Sequence, residues 1–253
     1  MMKYVLMLPR VLWKLWFAIN FIVTLLLLYP LFLILLSKES RFPIAFKVMR
    51  LWAKWICYGA GIIPRIKYEI DIQKIPQGPY IFVSNHSSYL DIPLSVVCIP
   101  QYFIFVAKQE LDKAPLFRIF FKRMNILVNR KSTIDSHRAY QQAAQKIDNG
   151  QSVYIFPEAT ISSSGKLISF KNGAFKLAID KQISIIPIVY FNNWKILQNG
   201  GFLTANGRPG IADVMIHKPI ETIGLTNADL IPLREKVRAV ISNSLEQHTN
   251  AKN

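Results

Sequence analysis

Tyr80-Ile81-Phe82-Val83-Ser84-Asn85-His86-Ser87-Ser88-Tyr89-Leu90-Asp91 decides the fold, because an apolar, β-favouring run breaks off into a polar cluster where a histidine stands five residues before a carboxylate. On an ideal helix five residues turn the chain through about 500°, which leaves the two side chains roughly 140° apart. His86 and Asp91 therefore meet only if His86 precedes a helix and Asp91 lies in its first turns. The stretch predicts a strand over 80–84, a polar junction, and a helix that starts near Asp91.

Outward from this junction, strands and helices alternate. Runs with a β-branched or aromatic bias predict strands at 102–107, 126–129, 153–156, 183–191 and 212–217, and residues 65–77 read as a short strand and turn. Residues 133–149 form a helix pattern, with Ser132 or Thr133 as its cap and Gly150 just past its end. A closing amphipathic helix covers 230–247. Such alternation predicts an α/β domain with a mostly parallel sheet flanked by helices, whose chemistry sits at the carboxyl ends of the strands. Ser87 and Ser88, following a strand, are expected to cap the next helix rather than act as nucleophiles.

The 253-residue chain is 51% apolar, more than a soluble core of this size requires. The excess lies in front: residues 15–37 carry no charge, and these 23 positions suffice to enter a hydrocarbon layer of about 30 Å. That stretch exceeds a secretory h-region and no small-x-small cleavage site follows it. In 42–63, Lys47, Arg50 and Lys54 recur at helical spacing among Phe46, Met49, Leu51, Trp52, Trp55 and Ile56, the pattern of an amphipathic helix in a membrane interface. Lys3, Arg10 and Lys14 precede the apolar segment and Lys38 and Arg41 follow it, so charge chooses no orientation. A hairpin dipping into one leaflet, with Pro30 as a kink, fits at least as well as a full crossing. The expected division is a membrane-associating segment over 1–64 and one catalytic domain over 65–253.

The net charge of +16 favours an anionic surface. Membrane phospholipid is the expected partner rather than nucleic acid, because the basic residues of the first sixty positions interleave with tryptophan and leucine and no nucleic-acid module is recognisable. Cys57 and Cys98 offer neither a disulfide framework nor metal-ligand spacing. They suit a reducing compartment, no metal is expected, and the chain is placed on the cytoplasmic face of the cell membrane.

A lone His near an Asp is more often a structural histidine or a helix cap, and His137, His217 and His248 are read as surface or packing residues. His86 differs because Asn85-His86-Ser87-Ser88-Tyr89-Leu90-Asp91 fits Asn-His-x-x-x-x-Asp, and Phe156-Pro157-Glu158-Ala159-Thr160 follows about seventy residues on, each at a predicted strand end. The two ordered motifs resemble the glycerolipid acyltransferase family over about residues 80–189. The resemblance implies an O-acyltransferase of phospholipid biosynthesis that moves a fatty acyl group from a thioester to 1-acylglycerol-3-phosphate. No cofactor is expected, the acyl-CoA or acyl-carrier-protein thioester being a co-substrate. His86 would take the acceptor's hydroxyl proton, Asp91 would orient the ring, and the acceptor would attack without an acyl-enzyme.

The same resemblance carries substrate binding onto Glu158, Thr160, Arg130, Lys108 and Lys171. Arg130 ends a block, 125–130, that aligns loosely with the family's phosphate-binding arginine, with Asn129 in place of an acid. Lys108 resembles the lysine after the family's second strand, and Lys171 precedes a helix whose N-terminus attracts anions. Pro187 matches the last block and is read as structural. Where the family has Phe-Pro-Glu-Gly-Thr-Arg-Ser, this chain has Ala159 for the glycine and Ile161 for the arginine. A guanidinium grips phosphate bidentately and isoleucine makes no such contact, so the acceptor is less constrained than the reaction. The alternatives are an acyltransferase for another lysolipid, such as a lyso-aminoacyl lipid, and a non-catalytic lipid-binding protein of the same fold.

Overall fold

The computed structural model describes residues 7–70, 78–114 and 116–251. Two helices, α1 (Met7–Leu35) and α2 (Phe42–Gly59), come first. Gly61, at φ 69°, turns the chain at once into β1 (Ile62–Tyr68). The strand thus starts ahead of residue 65 and takes the last residues of the expected interfacial helix, because only glycine adopts that backbone without strain. The turn expected over 71–77 lies outside the described residues. There follow β2 (Ile81–Ser84), α3 (Asp91–Cys98), β3 (Phe103–Lys108), α4 (Arg118–Met124), β4 (Ile126–Val128), α5 (Thr133–Asp148) and β5 (Ser152–Ile155). The chain ends with α6 (Gly173–Lys181), β6 (Ile185–Tyr190), α7 (Asn193–Ile196), β7 (Gly210–Ile216) and α8 (Leu230–Asn250). Ser132 caps α5 by accepting from the Asp135 N–H, and Gly150 follows in the left-handed region.

The seven strands form one sheet in the order β1-β7-β6-β2-β5-β3-β4. From β6 to β4 all neighbours are parallel, whereas β7 runs antiparallel to β6 and carries β1 parallel to itself at the edge. The parallel strands bring their carboxyl ends to one rim. Period-two alternation divides the core: Phe82, Phe103, Phe105, Tyr154, Ile186 and Ile188 pack on one face, and Ile81, Val83, Ile104, Val153, Ile185 and Val189 on the other. Helices α1 to α4 cover the first face, and α5, α6 and α8 the second. Pro187 falls where β6 has left Ile220 and has not yet paired with β7, so its missing N–H breaks no ladder bond.

Helix α1 is docked along its length, with Pro30 inside it. Leu25 and Phe32 of α1 and Trp52 of α2 belong to the same apolar cluster as Phe82 and Phe103 of the sheet. Buried polar groups fix the pairing of the two helices: Asn20 donates to the Ile56 carbonyl at 3.1 Å, and the Trp52 indole donates to Thr24 Oγ1 at 2.9 Å. The outer face of α1 is apolar and exposed at Leu8, Leu12, Trp16, Ile19, Val23, Leu26, Leu27 and Ile34.

Candidate active site at the carboxyl rim of the sheet

Where β2 ends, Asn85 continues the strand by side chain: its amide donates to the Tyr190 carbonyl and accepts from the Tyr190 N–H, both at 2.9 Å. That imitation of a ladder pair ties the junction to β6 before the chain turns. Asp91, fully buried, then gathers the loop. Its Oδ2 accepts from the backbone N–H of Ser87 at 2.7 Å and of Ser88 at 2.9 Å, and meets His86 Nδ1 at 2.9 Å. Its Oδ1 accepts from Asn193 Nδ2, on α7, at 2.7 Å. An ionised carboxylate with four donors is well compensated for burial, and its bond to Nδ1 selects the tautomer with Nε2 as the free base. The His86 side chain keeps 12% of its surface exposed, and its ring stacks on Phe156, with centroids 3.9 Å apart and planes inclined by 23°.

The serines therefore act otherwise than expected. Neither hydroxyl caps α3; instead the first carboxylate of α3 caps the serine backbone. Ser88 Oγ donates to the Leu197 carbonyl at 2.6 Å and accepts from the Leu90 N–H at 3.1 Å, and Ser87 Oγ is buried without a partner among the described residues. Neither is bonded to His86, so neither is an activated nucleophile.

The Phe-Pro-Glu segment leaves the neighbouring strand β5 and packs on the same junction. Glu158, 5% exposed, accepts from the His86 N–H at 2.7 Å and from the Ile168 N–H at 3.0 Å, and the Ser162 N–H donates to the His86 carbonyl at 2.8 Å. Burial pushes the Glu158 carboxyl up to about 7, against the lowering by its two backbone donors and with a further push from Asp91. Of the residue expected to touch the acceptor, one oxygen thus holds the His86 main chain and the other the main chain of Ile168.

The cations expected at the site divide. The Arg130 guanidinium donates to the Ala159 carbonyl, which puts it on the loop that also carries exposed Thr160. Lys108 lies beside Val128 in the β3–β4 register, two residues before Arg130, and pairs with Glu110 at 3.1 Å. Lys171 is bound to the motif by its backbone, its N–H donating to the Pro157 carbonyl at 2.9 Å, while its side chain is exposed. Of the other histidines, His137 is exposed beside Gln141, His217 pairs with Glu69 at 2.9 Å, and His248 stacks on Phe191. Sequence reasoning missed Asn193 and the stacking role of Phe156. Phe156 stood inside a motif already singled out, whereas Asn193 follows the last parallel strand with no signal to mark it.

A family model described as Acyltransferase matches residues 65–191. The chain is 31% identical over 196 residues to 1-acyl-sn-glycerol-3-phosphate acyltransferase alpha of Mus musculus, covering 76% of this chain and 66% of that protein. To the chloroplastic 1-acyl-sn-glycerol-3-phosphate acyltransferase LPAT1 of Arabidopsis thaliana it is 30% identical over 206 residues, covering 79% and 53%. It thus spans between about half and two thirds of these curated relatives' length. Its fold matches the crystal structure of the 1-acyl-sn-glycerophosphate (LPA) acyltransferase PlsC of Thermotoga maritima, with TM-score 0.80 and 23% identity, over 96% of this chain and 97% of that one.

Proposed function

This chain belongs to the acyltransferase family, and from that premise we propose that it is a membrane-associated O-acyltransferase that moves a fatty acyl group from a thioester, of coenzyme A or acyl carrier protein, to 1-acylglycerol-3-phosphate. The carrying observation is His86, with Nδ1 held by Asp91, which accepts from four donors, and Nε2 without a partner among the described residues. Nε2 takes the acceptor's hydroxyl proton as the oxygen attacks the thioester carbonyl. Asp91 balances the imidazolium that forms. The tetrahedral intermediate collapses by breaking the C–S bond, and the imidazolium returns the proton to the departing sulfur, leaving an ester and a free thiol. The partnerless Ser87 hydroxyl supports direct attack over an acyl-enzyme.

Arg130, held on the Ala159 carbonyl, supports a phosphate-bearing acceptor despite Ile161. The half-buried Ile161 itself favours the second reading, a lysolipid without a phosphomonoester. Membrane association rests on the exposed apolar face of α1. Both ends of that helix are tied to the domain, Lys14 to the Ala205 carbonyl at 2.7 Å and the Leu36 carbonyl to Arg123 at 3.4 Å, which supports a hairpin lying in one leaflet.

The test is acyl transfer by the detergent-solubilised protein to 1-acylglycerol-3-phosphate beside a phosphate-free lysolipid, with His86→Ala as the blank. Preference for the phosphate acceptor, lost in the variant, is expected. Preference for the other acceptor replaces the substrate, and turnover that survives His86→Ala overturns the mechanism.

A further inference from the structure

Three cations from three segments surround one notch. Arg10 of α1, Lys195 of α7 and Arg208 in the loop before β7 line it together with Trp194, Asn206 and Gly207, around about 350 Å³. Among the described residues none of the three pairs with a carboxylate. The notch is built rather than incidental. One helical turn from Arg10, Lys14 is buried and donates to the carbonyls of Phe202 and Ala205, so the loop is clamped to α1 by a cation already used up. Its methylenes pass so close to Gly207 that a β-carbon there would lie 2.5 Å from one of them. Lys195 rests over the Trp194 ring at 5.3 Å from the centroid, and Arg208 Nε donates to the Lys195 carbonyl at 3.4 Å.

We propose that the Arg10–Lys195–Arg208 notch binds the phosphodiester headgroup of an anionic phospholipid of the host bilayer, beside the acceptor site and distinct from it. The surroundings choose lipid over other polyanions. Phe202 and Leu203, on the clamped loop, are 50% and 57% exposed, and Lys14 Nζ lies 5.2 Å from the centroid of the Phe202 ring. Exposed apolar side chains, an indole and unpaired cations grouped around one notch are the composition that suits a membrane interface rather than a purely polar polyanion. Lys195 also stands two residues from Asn193, which holds Asp91, so a lipid in the notch sets the catalytic rim at headgroup height.

The inference rests on the membrane association proposed above, and two vesicle compositions separate the two. Sedimentation of the full chain with vesicles of phosphatidylcholine, alone or with about a third phosphatidylglycerol, compares the wild type with Arg10→Gln/Lys195→Gln/Arg208→Gln. A charge-matched control carries Lys176→Gln/Lys218→Gln/Lys236→Gln, away from α1. At about tenfold or less per surface cation, the notch triple is expected to lose on the order of 100-fold in affinity for the anionic vesicles and little for the neutral ones. The control is expected to lose less than threefold. Equal losses in the two triples overturn the notch in favour of diffuse charge. A raised KM for 1-acylglycerol-3-phosphate with unchanged vesicle affinity overturns it in favour of an acceptor site. Failure of the wild type to bind either vesicle overturns the membrane reading itself.

Discussion

Residues 84–91 and 156–168 leave adjacent parallel strands, β2 and β5, and meet over His86, yet they are held in different ways. Each uses a buried carboxylate to collect backbone N–H groups. Asp91 collects them three and four positions behind itself, so the first loop closes on its own sequence. Glu158 reaches instead to His86, seventy-two positions back, and to Ile168, ten ahead. The second loop also holds Ala159 at φ 59°, one of three described non-glycine residues at positive φ. The loop that carries the base closes on its own carboxylate with no residue at positive φ, and Asn85, Ser88 and Asp91 tie the closed loop to Tyr190, Leu197 and Asn193. The loop that carries Glu158 and Thr160 is held from farther along the chain, and there Ala159 and Ile161 stand where a glycine and an arginine were expected. The proposed base and the residues proposed to choose the acceptor thus stand in loops held by different means.

The largest test of that contrast removes the charge from the local loop without removing its shape. In Asp91→Asn the amide oxygen can keep the Ser87, Ser88 and His86 donors, while its nitrogen turns to Asn193. Asn193 has a buried Oδ1 with no partner among the described residues, so a flip of its amide supplies the missing acceptor. The variant is expected to melt within a few degrees of wild type yet lose at least about 100-fold in kcat, because nothing then balances the imidazolium. A loss of stability on the same scale as the loss of turnover would mean that Asp91 is chiefly a loop staple.

The first loop was legible because its carboxylate closes on its own sequence neighbours. The five-residue offset from His86 to Asp91 works only across a strand-to-helix junction, so sequence distance specified geometry. Strands β2 to β7 were equally legible, since their apolar runs stand between polar turns. What the sequence could not reveal came from across the fold. Asn193 reaches Asp91 over 102 positions, and the Glu158 carboxylate is spent on main chain that a motif does not display. The serines misled because a hydroxyl after a strand and a carboxylate opening a helix can each serve as the cap, and here the carboxylate took the backbone donors.

A middle-sized effect should separate the loops by pH. Glu158 is held up at about 7 against an ordinary 4.5, so between those values the folded chain binds the extra proton. The stability this confers is complete below about pH 4.5 and lost as pH rises to about 7, a swing on the order of 3 kcal/mol for so buried a group. Glu158→Gln cannot titrate. Its carbonyl can serve the His86 N–H while its NH₂ faces that of Ile168. The melting temperature of the variant is expected to vary less with pH over that window than that of wild type, and turnover to fall about tenfold as the loop over His86 loosens. An unchanged slope would mean that the carboxylate is ionised throughout and that its two donors outweigh its burial.

The smallest effect is the most specific to this chain. Ala159 occupies a left-handed backbone that costs a side-chain-bearing residue about 1–2 kcal/mol, while glycine there gives back about 0.5–1 kcal/mol through its freer unfolded state. Ala159→Gly is therefore expected to stabilise by roughly 0.5 kcal/mol, a rise in melting temperature of about 1–2 °C for a chain of this size, whereas the β-branched Ala159→Val should destabilise. The carbonyl that holds Arg130 belongs to the backbone and survives both changes. If the glycine variant gains stability with turnover unchanged on either acceptor, the strain is a tolerated cost of the alanine. If turnover on 1-acylglycerol-3-phosphate alone rises, the strained peptide sets where Arg130 meets the acceptor, and the Ala159 backbone rather than Ile161 limits which lysolipid is used.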